Sequence, residues 1–171
     1  MSKLIFITGP VRSGKSNFAV NLAKKSKKKI IFIATCKPVD TEMKERIKKH
    51  QQQRPKEWIT IEEEIDLGSV LRKISKDKLI IIDCITLWVS NLFFHNFNEK
   101  EILKIVNDLI SIIKRKGLSV IIVSNEVGWG IVPNNKIARN FRDIMGIIHQ
   151  KISESSNEIY LLVSGIPIKL K

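Results

Sequence analysis

Three groups of side chains in this chain have the types and spacing that chemistry requires. The first is the run Gly9, Pro10, Val11, Arg12, Ser13, Gly14, Lys15 and Ser16, which matches G-x-x-x-x-G-K-[ST]. Its glycines let the backbone take angles that a Cβ forbids, so successive N–H groups can point at one anion. A helix starting immediately afterwards adds the partial positive charge of its N-terminus. Lys15 can neutralise the β- and γ-phosphates of a nucleoside triphosphate, and the Ser16 hydroxyl can ligate Mg²⁺. The second group is Asp83, which closes the apolar run Leu79–Asp83. A carboxylate at such a strand end assists the metal bound by the loop serine; its other reading is a cap on the next helix. The third is His50. Met43, Ile47 and His50 fall at i, i+4 and i+7 and share one face of a predicted helix. A neutral imidazole is a competent nucleophile toward phosphorus, so a rate depending on it falls as pH drops through its titration. On spacing alone, a packed or capping histidine is the other reading. His95 and His149 lack comparable surroundings and are assigned structural roles.

Positioning these groups requires alternating strands and helices. Strands are predicted over Lys3–Thr8, Lys29–Ala34, Trp58–Ile61, Leu79–Asp83, Leu118–Ser124, Glu158–Ser164 and Ile166–Leu170. Helices are predicted over Asn17–Lys25, Asp40–Gln53, Leu67–Ile74, Thr86–Phe94, Glu99–Lys116 and Asn134–Ser155, with Gly117 ending the fifth. Continuous apolar strands joined by helices imply an α/β fold with a largely parallel sheet covered on both faces. In open parallel sheets ligands bind beyond the carboxyl ends of the strands, where the glycine loop and Asp83 both lie. No linker or repeat divides the chain, so one domain over residues 1–171 is expected.

Composition narrows the classes further. At 43% hydrophobic residues the chain is globular rather than disordered. No apolar run is long enough for a membrane span, and no signal peptide is expected ahead of the first strand, residues 1–8 reading as part of the fold. Cys36 and Cys84 form no C-x-x-C pair, which suits a reducing cytoplasm and argues against a zinc site. The net charge of +13 could mean nucleic-acid binding. The basic residues are instead spread over many segments. The densest run, Lys24–Lys29, sits at a helix end where cations are favourable, and no aromatic residues interleave with it. No nucleic-acid partner is therefore expected.

Further segments carry sharper patterns. Asn125-Glu126-Val127-Gly128-Trp129-Gly130-Ile131-Val132-Pro133 follows a core strand and reads as a shaped loop beside the site. Arg139 and Arg142, three apart on the next helix, could face an anionic substrate or form a solvated basic face. Together with Gly9–Ser16, Ile33-Ala34-Thr35, Asp40–Arg54 around His50, Trp58–Glu62, Asp83–Thr86, Asn91-Leu92, Ala138–Asp143 and Val163–Ile166, that loop closely resembles one family almost end to end. It is the bifunctional adenosylcobinamide kinase / adenosylcobinamide-phosphate guanylyltransferase family of cobalamin synthesis. The loop 125–133 and the Arg46-Ile47-x-x-His50-x-x-x-Arg54-Pro55 block are far more specific than the glycine loop.

The resemblance implies two reactions on a RecA-like P-loop fold. ATP or GTP phosphorylates the aminopropanol hydroxyl of adenosylcobinamide. A histidine then attacks the α-phosphate of GTP, expels pyrophosphate and carries GMP to adenosylcobinamide phosphate, giving adenosylcobinamide-GDP. The family's guanylylated histidine maps onto His50; some members have two adjacent histidines there, whereas this chain has Lys49. The implied nucleotide contacts are the glycine loop, Ala34, Thr35, Cys36, Arg54, Glu62 and Asp83, with Mg²⁺ on Ser16 and Asp83, and the implied assembly is a homotrimer. Pro10 and Val11 replace small residues common in the family, which bears on ATP versus GTP preference. Two rivals remain at this point: a small-metabolite kinase with no covalent intermediate, and a RecA-like nucleic-acid-binding ATPase.

Overall fold

The computed structural model describes residues 2–36, 41, 45, 51 and 54–171. Its elements are β1 (Leu4–Thr8), α1 (Lys15–Lys24), β2 (Ile30–Ala34), β3 (Ile59–Glu62), α2 (Leu67–Lys73), β4 (Leu79–Asp83), α3 (Ile85–Phe94), α4 (Glu99–Lys116), β5 (Ser119–Val123), α5 (Lys136–Ser155), β6 (Glu158–Val163) and β7 (Ile166–Lys169). The strands form one seven-stranded sheet in the order β3-β2-β4-β5-β1-β6-β7. Every neighbouring pair is parallel except the β6–β7 hairpin. The predicted Asp40–Gln53 helix lies outside the described residues apart from Thr41, Glu45 and Gln51, and His50 lies outside them entirely.

Strand side chains alternate between two apolar layers, as a period of two dictates. Phe6, Ile33, Ile80, Ile82, Val120 and Ile122 face one layer, which α2, α3, α4 and α5 complete with Leu71, Trp88, Val106, Ile113 and Ile148. Ile7, Phe32, Ile81, Ile121 and Val123 face the other, where α1 contributes Ala19 and Ala23. Both faces of the central strands are thus dry, which explains why they read as unbroken apolar runs. In α4, Asn98 and Glu101 form a reciprocal capping box and Gly117 closes the helix at φ 60°.

Boundaries moved where caps overrode periodicity. α1 begins at Lys15 rather than Asn17, because Gly14 at φ 91° turns the chain directly from loop into helix. That places Lys15 and Ser16 in its first turn. α5 begins at Lys136 rather than Asn134, because the Asn135 side chain accepts from the N–H groups of Ile137 and Ala138. α3 starts one residue earlier than expected, and β3 shifts by one to end on Glu62.

Candidate nucleotide site

The carboxyl ends of β1, β2, β3, β4 and β5 all open on one side, and a cavity of about 440 Å³ lies there, within the usual size range for a small-ligand site. The segment Val11–Asn17 forms one wall; Ala34, Cys36, Arg54, Glu62 and Asp83 form others, with Cys84, Leu87, Val123 and Asn125 completing it. Neighbouring strands in the sheet order deliver these groups side by side, although they are far apart in the chain.

The loop is built tightly. The Ser13 N–H donates to the Pro10 carbonyl at 3.3 Å, and the Phe18 N–H to Gly14 at 2.9 Å. Gly9 does not line the cavity; it passes beneath Leu162 at φ +148°, and a Cβ there would stand 2.3 Å from the Leu162 carbonyl oxygen. Gly9→Ala is therefore expected to cost about 2 kcal/mol or more in denaturant unfolding, with a parallel loss in nucleotide titration. The tip of the β6–β7 hairpin braces the loop from outside, where the Gly165 N–H donates to the Ser13 carbonyl at 3.1 Å.

Lys15 is buried, 6% exposed, and its Nζ donates to the Pro10 carbonyl at 2.6 Å. Burial lowers its pKa, while Cys84 and Asp83 oppose that shift. The Cys84 thiol is itself pushed up to about 12 by burial and the adjacent Asp83. At neutral pH that thiol carries no charge, so the opposition to the downward shift of Lys15 comes from Asp83. Arg54 stacks over the Phe32 ring, 3.6 Å from guanidinium carbon to ring centroid. Its Nη1 is buried with no partner among the described residues. Burial lowers its pKa too, against Asp83 and Glu62, but a guanidinium stays charged. A half-buried cation with an unused donor beside a phosphate-shaped loop is suited to an anionic ligand.

Thr35 has a different place from the one the sequence implies. It is fully buried, it does not line the cavity, and its hydroxyl both donates to the Cys84 carbonyl and accepts from the Cys84 N–H, each at 2.8 Å. It ties the end of β2 to the end of β4 and so positions Asp83. Pro10 likewise contributes a carbonyl to Lys15 rather than a wall. Arg139 and Arg142 do not line the cavity; both are half-buried and hold the loop 125–133. Arg139 Nη1 donates to the carbonyls of Pro133 and Asn134 at 2.9 and 2.6 Å, and Arg142 Nη2 to Gly128 at 2.7 Å.

The sequence profile of the CobU family, cobinamide kinase / cobinamide phosphate guanyltransferase, matches residues 5–170. The chain belongs to that family. The bifunctional adenosylcobalamin biosynthesis protein CobU of Escherichia coli (strain K12) is 36% identical over 98% of this chain and 99% of its own length. The corresponding protein CobP of Pseudomonas aeruginosa is 36% identical over 96% of this chain and 95% of its own. Among solved structures, a RadB recombinase superposes with a TM-score of 0.55 at 14% identity, covering 93% of this chain and 73% of that one. A KaiC-like protein from Pyrococcus horikoshii OT3 gives 0.52 at 12% identity, covering 93% and 70%. These two likenesses show the RecA-like P-loop fold and nothing of activity. The family model and the relatives bear out the family resemblance, and the fold neighbours bear out the RecA-like architecture.

Ser16 and Asp83, the two oxygen donors that the family resemblance implies for Mg²⁺, line the same cavity. Among the described residues no cluster of three His, Cys, Asp or Glu side chains could cage an ion alone. A hard cation here thus needs phosphate oxygens to complete its shell, which is how Mg²⁺ is usually held. Sequence reasoning passed over Leu87 and Val123 as cavity walls, and assigned His149 a structural role although it touches groups beside the site. Val123 was hidden because it reads as one more core residue of β5.

Proposed function

We propose that this protein carries out both CobU-family reactions at the one cavity described above, within a single domain. It phosphorylates adenosylcobinamide from a nucleoside triphosphate, then transfers GMP from GTP to adenosylcobinamide phosphate through a guanylyl-histidine at His50. The observation that carries the reading is the convergence of the glycine loop, Lys15, Arg54, Glu62 and Asp83 on one cavity at the strand ends.

Phosphoryl transfer demands alignment and charge neutralisation more than covalent chemistry. The backbone N–H groups of Arg12–Ser16 line the phosphates, Lys15 neutralises charge building on the transferred group, and Arg54 meets the remaining oxygens. Ser16 and Asp83 would hold Mg²⁺, which would supply further neutralisation of phosphate charge. In the second reaction the His50 ring nitrogen forms a bond to the α-phosphorus as pyrophosphate leaves. The phosphate oxygen of adenosylcobinamide phosphate then displaces the imidazole, which regenerates the free histidine. Splitting the transfer gives each displacement its own nucleophile.

The decisive assay supplies adenosylcobinamide, GTP and Mg²⁺ and looks for adenosylcobinamide-GDP and pyrophosphate by mass spectrometry, with EDTA abolishing both. Formation of the phosphate alone reduces the protein to a kinase; formation of neither removes the proposal. Among the described residues no helix is long and apolar enough to cross a membrane; a cytoplasmic site for this chemistry is part of the same proposal. So is a homotrimer, supported by apolar side chains left open on one chain: Trp129 at 68%, Ile131 at 97% and Ile166 at 67% exposure. Light scattering in solution is expected to give three times the 19.6 kDa chain mass.

A further inference from the structure

Behind the cavity, outside the groups that the proposed reactions use, lies a line of polar side chains through an otherwise apolar layer. Its members come from α3, the end of β5, the loop that follows, and α5. The Asn125 N–H donates to Thr86 Oγ1 at 2.7 Å. Thr86 Oγ1 lies 3.0 Å from Ser124 Oγ, and Ser124 Oγ lies 2.8 Å from His149 Nε2. His149 Nδ1 is 3.4 Å from Glu126 Oε2, and Glu126 Oε1 accepts from the Gly128 N–H at 2.8 Å. The Glu126 N–H in turn donates to the Gly9 carbonyl at 2.9 Å, reaching the first residue of the phosphate loop. Ser124 is fully buried and His149 is 9% exposed, against Phe6.

Donor counting gives the line one direction. The carboxylate facing Nδ1 requires a proton there. Burial holds the imidazole below its ordinary pKa despite Glu126, so the ring is neutral at pH 7 and Nε2 is bare. Nε2 then accepts the Ser124 proton, Ser124 accepts from Thr86, and Thr86 accepts from the Asn125 backbone. The Thr86 hydroxyl also lies 3.4 Å from the Asn125 carbonyl, so it meets that residue twice, and each bond orients the next. An apolar side chain would fill the position of His149 without desolvating an imidazole, so packing alone does not call for this residue.

We propose that His149 and Glu126 are positioning residues: through Ser124 and Thr86 they fix the backbone of Asn125, and through Glu126 the seat of Gly9, so that the wall bearing the Asn125 carboxamide is held against the phosphate loop. This inference rests on the kinase reading of the cavity. Its effect is on alignment, so it falls on turnover more than on nucleotide binding.

The test compares wild type with His149→Leu, His149→Asn and Glu126→Gln. In His149→Leu, kinase kcat is expected to fall about 10- to 100-fold, the scale of an ångström-sized misplacement. The nucleotide Kd should stay within about twofold, since the phosphate contacts remain. Amide exchange at Asn125 and Gly128 should quicken while that of α4 does not. His149→Asn keeps a donor where Nδ1 stood and should recover part of kcat. In wild type, ¹⁵N NMR should show a protonated Nδ1 and a bare Nε2; in Glu126→Gln, whose amide can donate, the tautomer should reverse. Unchanged kcat and exchange in His149→Leu overturn the inference, as does a loss shared equally by all amides. If His149→Leu does not fold, His149→Asn and Glu126→Gln decide by the same readings. Absence of kinase activity in wild type counts against the proposed function instead; exchange and tautomer then still judge the positioning role without substrate.

Discussion

Lys15→Met is expected to abolish phosphoryl and guanylyl transfer together, by about 10³-fold or more, in a protein as stable as its parent or more so. The side chain is 6% exposed, and among the described residues its ammonium bonds the Pro10 carbonyl rather than a carboxylate. Methionine fills nearly the same volume with no charge to bury. Removing a preorganised cation from a water-poor site forfeits the stabilisation it gives to charge developing on the phosphates; a 10³ loss corresponds to about 4 kcal/mol of barrier. The stability half has a signature of its own. The folded-state pKa of Lys15 is lowered by burial, so the folded protein sheds this proton before the unfolded chain does. Parental stability therefore gains as pH rises from that lowered value toward the ordinary 10.5. The advantage of Lys15→Met is constant well below that lowered value and shrinks between it and 10.5. Chemical denaturation at several pH values checks it, alongside product formation; a variant that keeps activity contradicts the role of Lys15.

His50→Ala is expected to erase covalent labelling of the protein by α-labelled GTP and all formation of adenosylcobinamide-GDP, while phosphorylation of adenosylcobinamide persists. Loss of a nucleophile has no partial substitute: with no imidazole there is no phosphoramidate, and the second displacement has no donor. The label in the parent should be acid-labile and base-stable, and mass spectrometry should place the adduct on residue 50. Residues 49 and 51 are Lys and Gln, so no histidine adjoins His50 in the chain. Label surviving in His50→Ala would place the nucleophile elsewhere. Label absent from the parent as well would leave a kinase without the transferase half.

The architecture could be read from the chain because its central strands are buried on both faces. Runs such as Leu79–Asp83 and Leu118–Ser124 carry no alternation for solvent to interrupt, and Gly14, Asn98 and Gly117 mark helix ends with local chemistry. Boundaries drifted by a residue or two, at Asn135 because a cap decided the helix start. The cavity was legible in part for a related reason: the glycine loop and Asp83 sit at strand ends, and strand ends are visible in sequence. Thr35, Arg139 and Arg142 were harder. Each is a polar residue in a plausible place, and whether it faces ligand or holds backbone depends on a partner remote in the chain, such as Cys84 for Thr35 or Gly128 for Arg142. His149 illustrates the limit most clearly. On the periodicity of α5 it is one more inward position, and nothing local announces Ser124 and Glu126 waiting opposite.

The hydrogen bond from Gly165 to Ser13 makes the last two strands more than an edge of the sheet. Leu162 of β6 roofs Gly9, and β7 pins the hairpin through pairs such as Leu162 with Pro167. Trimming the chain after Val163, or fusing bulky cargo close behind it, will loosen the grip on triphosphate before it unravels the core. Tags and reporters for this protein belong at the other terminus.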